Sequence, residues 1–374
     1  MKKFTYTLFA LGFFVIMGCS GEATYTEEII DGVRHVHNLA PAWGDEQKIS
    51  LEFVRQIGEL DAVDENYQFF RPARVLKDKT GNMYILDSRN YRIQKFSETG
   101  EYLATIGRQG QGPGEFEYPI WMEMGSDGSL YVLDVYIDMF KIMSPEGEET
   151  KRIKLPWSYD FLHLTADNFI VINSSVRARL ESEDIANEST LISIFEFKDN
   201  EYSVLREFGR LHDYKDRDVT YYGNGYRMSV DDNKNIFIAL TSQNRIEKYT
   251  FEGVLLFTAD RPINFELDYE IEEREHQTGT GRTWTSRTPR FNTVSLWVGI
   301  DDKNRFWVVA FKKQKEEEDK PEDFLEIQVY DENGIWLTTL PMPVYGGMDF
   351  IGDKIYFRGI DDMSIHEYRI VEKR

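Results

Sequence analysis

Short apolar runs separated by turn residues recur along most of the chain. In residues 78–100 a Thr-Gly-Asn turn precedes the run MYILD, and a polar loop leads to the run RIQKF, which ends at another Gly turn. Residues 126–147 repeat this order with the runs LYVLD and FKIM. Such short runs joined by Gly, Asp and Asn predict antiparallel strands connected by hairpins. A third strand follows each copy, at 101–106 and 149–155.

The same unit recurs four more times with less fidelity. Another apolar run precedes each pair of strands, so each unit is a four-stranded meander. The units follow one another about every 40 to 50 residues, which is the period of a propeller blade. We therefore predict an all-β fold, a six-bladed β-propeller of four-stranded antiparallel blades over residues 49–374. The paired runs of the weaker units are 167–172 with 191–195, 235–238 with 245–249, 305–309 with 325–330, and 354–357 with 365–370.

The sixth unit lacks an outer strand in the sequence that follows its third strand. Residues 49–57 have the character of that missing strand, because the run Val54–Gly58 is similar to the outer-strand runs Leu103–Gly107 and Leu205–Gly209. An N-terminal outer strand that completes the last blade would close the ring and remove an open sheet edge. We expect residues 49–57 to take this place.

Two segments of the first blades carry a resemblance to a known repeat. Gly110–Phe116, then Pro119, then Gly128–Asp134 resemble NHL repeats, and residues 49–373 resemble the six-bladed propeller lipoproteins common in Bacteroidota. The resemblance implies the fold but no single activity, because NHL-like propellers include protein-binding, ligand-binding, lyase and hydrolase members.

The N-terminus has the order of a secretory signal. Lys2 and Lys3 precede an apolar run that ends at Gly18-Cys19, and Cys19 is the only cysteine in the chain. The small residue before the cysteine resembles the lipobox of bacterial lipoproteins, in which the thiol is acylated. We expect a signal peptide at 1–18, an anchor site and tether at 19–48, and a lipid-anchored protein of the cell envelope, in the outer membrane and facing the periplasm or the cell surface. The alternative is an ordinary cleaved signal with an incidental cysteine.

The charge balance excludes one class of partner. The chain has 65 acidic and 44 basic side chains, a net charge of −21. Nucleic-acid binding needs clustered Lys and Arg to neutralise phosphates, so we expect no nucleic-acid partner. The same charge disfavours adhesion to anionic lipid, which leaves acyl chains on Cys19 to hold the protein at the membrane.

The strand register predicts which side chains surround the central mouth. We count ten residues back from the Tyr, Phe, Trp or Ile of each second strand to reach equivalent positions on the innermost strands. Arginine offers a planar fork for carboxylate, sulfate or phosphate, and tryptophan offers a flat face for sugar or aromatic rings. The alternatives are plain polar lining and tryptophans that pack between blades. The six positions are Arg74, Trp121, Asp160, Arg227, Trp297 and Gly346, and the first five are the candidate ligand contacts.

Long insertions all fall in one class of connection. In a propeller of this family, one face carries the loops between second and third strands and the loops between blades, and the other carries tight hairpins. We call the first the loop-rich face and expect function there, since binding residues concentrate on loops held by a rigid scaffold. Within one insertion, Leu267–His276 could form one or two helical turns. The four insertions are 174–189, 209–225, 260–292 and 312–323.

Catalytic motifs are absent from the sequence. Lyases of the resembled superfamily use several histidines of the inner channel, and here only His163 lies near a predicted inner strand. We expect no cofactor, although acidic loops leave calcium open; Asp87 and Asp134, at equivalent strand ends, more often cap turns than bind calcium.

These observations favour a non-catalytic binding module that takes a glycan, an anionic small molecule or a partner protein through its loop-rich face. One alternative is a lyase or hydrolase acting at the central mouth, with Asp160 and His163 as acid and base. Another is a structural component of an envelope complex.

Overall fold

The computed structural model describes residues 22–154, 162–164, 169–173, 190–198, 201–277, 279 and 281–373. It is a six-bladed β-propeller of four-stranded antiparallel sheets, as the sequence predicts. The first three blades comprise β4 (Pro72–Lys77), β5 (Met83–Asp87), β6 (Arg92–Phe96) and β7 (Tyr102–Ile106); β8 (Pro119–Met124), β9 (Leu130–Asp134), β10 (Met139–Met143) and β11 (Glu149–Lys154); and β12 (Leu162–Leu164), β13 (Phe169–Asn173), β14 (Ile192–Lys198) and β15 (Glu201–Phe208).

Blades four to six complete the ring, and the last one joins distant parts of the chain. Its outer strand is β3 (Ile49–Ile57), which pairs antiparallel with the third strand of this blade at 365–372. This confirms the predicted closure by residues 49–57. The remaining strands are β16 (Tyr226–Val230), β17 (Ile236–Leu240), β18 (Ile246–Tyr249) and β19 (Leu255–Asp260); β22 (Ser295–Ile300), β23 (Phe306–Phe311), β24 (Leu325–Tyr330) and β25 (Trp336–Pro341); and β26 (Gly346–Ile351), β27 (Lys354–Gly359) and β28 (Ile365–Glu372).

Second strands form the core, and this explains why they dominate the sequence pattern. Every residue of β5, β17 and β23 is buried. Each of these strands packs against neighbouring blades on both faces, so it is apolar at successive positions rather than at alternate ones. Aromatic rings make contact across the blade boundaries, with Phe237 stacked on Phe306 at 5.1 Å and Trp307 against Phe350 at 5.4 Å.

Asp87 and Asp134 fix the chain where it enters the first two blades. Asp87 accepts a hydrogen bond from the backbone N–H of Phe70 at 2.7 Å. Asp134 accepts two, from Glu117 at 2.9 Å and from Tyr118 at 2.8 Å. Each buried carboxylate therefore satisfies backbone donors of the preceding connection, which is a capping role.

The tether segment contains a hairpin that the sequence analysis did not predict. Strands β1 (Tyr25–Ile30) and β2 (Val33–Asn38) pair with each other, and β2 runs parallel to β19 at the outer edge of blade four. His37 of β2 contacts both neighbouring strands. Its imidazole lies 2.8 Å from the carboxylate of Asp260 in β19 and 3.2 Å from that of Glu28 in β1. Blade four is thereby extended to a six-stranded sheet.

The insertion between blades four and five is a long β-ribbon rather than helix. The one or two helical turns considered for Leu267–His276 do not form, because β20 (Tyr269–Gln277) pairs with β21 (Thr283–Phe291) over nine residues. Cross-strand ion pairs such as Glu272 with Arg290 offset the helix preference of the glutamates. Two short helices are described, α1 (Arg217–Gly223) and α2 (Pro321–Phe324), and two 3-10 turns, at Glu65–Tyr67 and Ser88–Asn90. None of the helices in the described part of the chain is long and apolar enough to cross a bilayer.

Candidate functional site

The first strands of the blades surround a central cavity of about 410 Å³. Within the described part of the chain, this space is lined by the first strands of blades one, two, four, five and six and by residues of the first hairpins of blades four to six. Four of the predicted contacts line it, namely Arg74, Trp121, Arg227 and Trp297. Asp160 lies outside the described residues. The placement of the four side chains is thus observed, whereas ligand binding by them stays a prediction.

In blade six, strand pairing puts a different residue at the cavity ring from the one that the count of ten residues gives. In blade one, Arg74 pairs with Leu86, two residues after Tyr84. The equivalent pair in blade six is Gly347 with Arg358, two residues after Tyr356. Gly346 is therefore one residue out of register, because the first hairpin of this blade is one residue shorter than in blade one.

The third blade shows a similar difference. There β12 pairs Leu162 with Ile172, two residues after Ile170. This pairing puts Leu162 at the register position that the count of ten residues assigned to Asp160.

Arg358 is a third arginine of the cavity, and the sequence analysis missed it. Arg358 lies on the second strand of blade six, and its side chain packs directly over Gly347. A Cβ added to Gly347 would lie 2.1 Å from Nη2 of Arg358. Glycine at this ring position therefore leaves room for an arginine from the neighbouring strand. The available signal was an arginine directly after the apolar run Ile355–Phe357 of β27.

A buried network of ion pairs joins the first strands of blades six, one and two. Arg74 donates to Glu123 Oε1 at 2.7 Å through Nη2 and to Asp349 Oδ1 through Nη1. Asp349 also accepts the backbone N–H of Val75 at 2.9 Å and forms an ion pair with Nε of Arg358 at 3.1 Å. Charged hydrogen bonds of this kind are short and directional, so they fix the register between blades.

Trp121 extends this network toward the cavity. The guanidinium of Arg74 lies 4.3 Å from the centre of the indole ring, within the range of a cation–π contact. The indole N–H of Trp121 donates to Glu123 Oε1 at 3.2 Å. The ring is half-buried, so part of it faces the cavity.

Arg227 and Trp297 contact other groups than Arg74 and Trp121 do. Arg227 donates through Nε to the carbonyl of Leu296 at 3.1 Å. Trp297 meets the ring of Tyr345 edge-on at 5.6 Å and is also half-buried. The described contacts of the guanidinium thus include a backbone carbonyl of blade five in the case of Arg227, and two carboxylates in the case of Arg74.

Burial lowers the pKa of both Arg74 and Arg358, but the net direction of the pKa shift differs between them. For Arg74, burial lowers the pKa, but the attraction of Glu123 and Asp349 outweighs it, so the net pKa is raised. For Arg358, burial dominates and lowers the pKa; Asp349 opposes this change, and the charges of Arg74 and Arg227 add to it. Arg358 is thus the less well compensated cation of the two.

The opposite end of the cavity is acidic. It is lined by Asp231, Asp232, Asp301 and Asp302, which lie at the first hairpins of blades four and five. Two of these carboxylates cap their own turns: Asp231 accepts the N–H of Asn235 at 2.7 Å, and Asp301 accepts the N–H of Arg305 at 2.9 Å. The cavity therefore has a cationic end toward the loop-rich face and an anionic end toward the tight hairpins.

One set of Ser, His and Asp side chains meets outside the cavity but is not a catalytic triad. Ser364 Oγ and Asp362 Oδ2 both contact Nε2 of His366, at 2.8 Å and 2.6 Å. A triad needs one ring nitrogen for the nucleophile and the other for the carboxylate. Ser364 is also fully buried, so this set caps a loop of blade six.

The enzyme alternative rests on two residues whose side chains lie outside the described part of the structure. Asp160 lies outside the described residues, and of His163 only the backbone is described, paired with Val171. Across the described ranges, no three His, Cys, Asp or Glu side chains converge in a way that could hold a metal ion.

A protein family with the same fold matches part of the sequence. A model of the family DUF5128, described as a 6-bladed beta-propeller, matches residues 68–226, which hold the first three blades. No curated protein sequence matches the chain.

Solved structures with the same fold differ widely in sequence. A member of the DUF4221 family from Bacteroides vulgatus has a TM-score of 0.58 at 9% identity, over 88% of this chain and 100% of that one. A protein from Bacteroides fragilis that is named as exported has a TM-score of 0.56 at 12% identity, over 91% and 100%. At these identities the similarity concerns the fold alone.

Proposed function

We propose that the protein is a non-catalytic binding module that holds an anionic ligand at the cationic end of its central cavity. The observation that carries this proposal is the convergence of three guanidinium groups, of Arg74, Arg227 and Arg358, at one end of the cavity. Burial lowers the pKa of Arg358, and its ion pair with Asp349 does not offset this change. A carboxylate, sulfate or phosphate ester would give Arg358 a further charged partner in a largely buried site.

The tryptophans support a ligand with a ring. The half-buried indoles of Trp121 and Trp297 line the same cavity as the arginines. An indole face can cover the apolar face of a sugar or an aromatic ring while an arginine binds its acidic group. An acidic monosaccharide or a sugar phosphate combines both features.

The experiment compares sugars that differ only in charge. Glucose 6-phosphate, glucose 6-sulfate, galacturonate and neutral glucose are titrated into the protein by calorimetry. We expect at least one anionic sugar to bind and neutral glucose not to bind. Arg358→Gln should weaken the binding about tenfold or more, because it removes a charged hydrogen bond in a buried site.

Arg108→Gln is the matched control, since the Arg108 side chain is 80% exposed and outside the cavity. It should bind like the unchanged protein. Circular dichroism establishes that each variant is folded before titration. Absence of binding by all three anionic sugars would refute the proposal, as would affinity that survives both Arg358→Gln and Arg227→Gln.

We also propose that the propeller is exported and anchored through Cys19. Support comes from the signal-like N-terminus, the lone cysteine and a structurally similar protein that is named as exported. Cys19→Ser should move the protein from the membrane fraction to the soluble fraction after a carbonate wash, because one lost acylation site removes the anchor. A variant that remains with the membranes would contradict the anchor, and an unrelated lipoprotein serves as the fractionation control.

A further inference from the structure

The β20–β21 ribbon is the largest addition to the propeller on its loop-rich face. Its base is fixed by a cluster of rings, with Phe291 at 5.0 Å from Tyr269 and at 5.4 Å from Tyr214. Arg287 adds an ion pair to Asp216, which caps α1. The ribbon is therefore held at one end by a rigid contact.

The other end of the ribbon carries a preformed aromatic stack. His276 and Trp284 are directly opposite each other in the ladder, and their rings stack at 4.1 Å with an angle of 17°. His276 Nε2 contacts Ser286 Oγ at 2.8 Å, which fixes the imidazole. The orientation of the indole is thus set before any ligand arrives, and this lowers the entropy cost of binding.

Trp284 is nevertheless 54% exposed. An indole contributes a large apolar area, and leaving it in water forgoes the stabilisation that burial would give. The contacts of the base do not need it, because they lie at the opposite end of the ribbon. One ring face rests on His276, so the exposed area is a single flat apolar surface.

The surroundings of this surface select the class of ligand. The face of the ribbon that carries Trp284 also carries charged side chains, and Glu272 forms ion pairs there with Arg274 and Arg290. Protein interfaces have cores that are depleted of charge and that need several apolar anchors. One aromatic plane among charged and hydroxyl groups instead matches a pyranose, which has one apolar face and a rim of hydroxyls.

We propose that the His276–Trp284 stack is a carbohydrate-binding platform, separate from the anionic site in the cavity. The indole of Trp284 covers the apolar face of a sugar unit, and Arg274 and Ser286 lie on the same face of the ribbon within reach of its hydroxyls. This platform does not depend on the charge of the sugar or on the cavity arginines.

The test is affinity electrophoresis of the full-length protein in gels that contain dextran, mannan or xylan. At least one polysaccharide should retard the protein. Trp284→Ala should weaken that interaction about tenfold, because the stacking surface is lost. His276→Ala should weaken it less, because the indole remains but loses its support, and Trp284→Phe should retain part of the binding.

Two variants serve as controls. Tyr136→Ala removes another exposed aromatic ring, 77% exposed and outside the ribbon, and should leave the retardation unchanged. Arg358→Gln should also leave it unchanged, which separates this platform from the cavity. Retardation by none of the three gels would overturn the proposal. It would equally be overturned if Trp284→Ala ran like the unchanged protein, or if Trp284 proved necessary only for capture of a partner protein.

Discussion

Replacing Arg74 by alanine should destabilise the propeller by about 3–5 kcal/mol. The side chain is the shared partner of Glu123 and Asp349, and both carboxylates are largely buried. Without the guanidinium, Glu123 loses this ion pair and Asp349 keeps only its ion pair with Arg358, in a site that water reaches poorly. The cation–π contact with Trp121 is lost as well. Chemical denaturation followed by tryptophan fluorescence measures the change in the free energy of unfolding.

The matched control is Arg108→Ala, which removes an exposed arginine from an ion pair with Glu115. We expect it to change stability by less than about 1 kcal/mol. If Arg74→Ala were as stable as this control, the ion-pair network would not be a structural link between blades, and the cavity arginines would be free for a purely ligand-directed role.

A second large effect is expected at Asn38, which joins blades four and five. Its amide nitrogen donates to the carbonyls of Asp260 at 2.9 Å and Gly334 at 3.1 Å, and its oxygen accepts the N–H of Trp336 at 2.8 Å. Asn38 is buried, so alanine would leave these backbone groups without partners. We expect a loss of about 2–4 kcal/mol, measured by the same denaturation experiment.

The neighbouring Leu39 provides the control, since its side chain is 52% exposed and Leu39→Ala should have little effect. Asn38→Asp should fall between the two, because its carboxylate can still accept from Trp336 but cannot donate to the carbonyls. Equal stability of Asn38→Ala and Leu39→Ala would show that the N-terminal segment is not a structural part of the ring.

Repetition made the propeller predictable from the sequence. A register count works where hairpins have equal lengths, and it placed Arg74, Trp121, Arg227 and Trp297 on the cavity wall. It went wrong in blade three, where strand pairing shifts by two residues, and in blade six, where one hairpin is a residue shorter and strand pairing shifts by one. Arg358 then fills the ring position from another strand, which no count along first strands can reveal.

Features outside the repeat were harder to predict. The hairpin of β1 and β2 contains an Asp31-Gly32 turn between two strand-like runs, which is a strong hairpin signal. It was missed because the repeat begins only at residue 49. For Leu267–His276, one or two helical turns fit the local propensity, because β20 is rich in glutamate, a good helix former. Its strand pairing depends instead on partners in β21 that local propensity does not include.

The position of the N-terminal hairpin also determines how the ring would respond to pulling. Tension applied before Tyr25 would first unzip β1 from β2 one pair at a time, and would then load the parallel ladder of β2 on β19. Only after the contacts of Asn38, Ala42 and Trp43 with blade five had broken would force reach β3, the strand that closes blade six. Residues 25–48 would by then have released about 80 Å of extended chain. The segment should therefore extend before the propeller opens. The ring should stay closed at forces that are already sufficient to detach the hairpin from blade four.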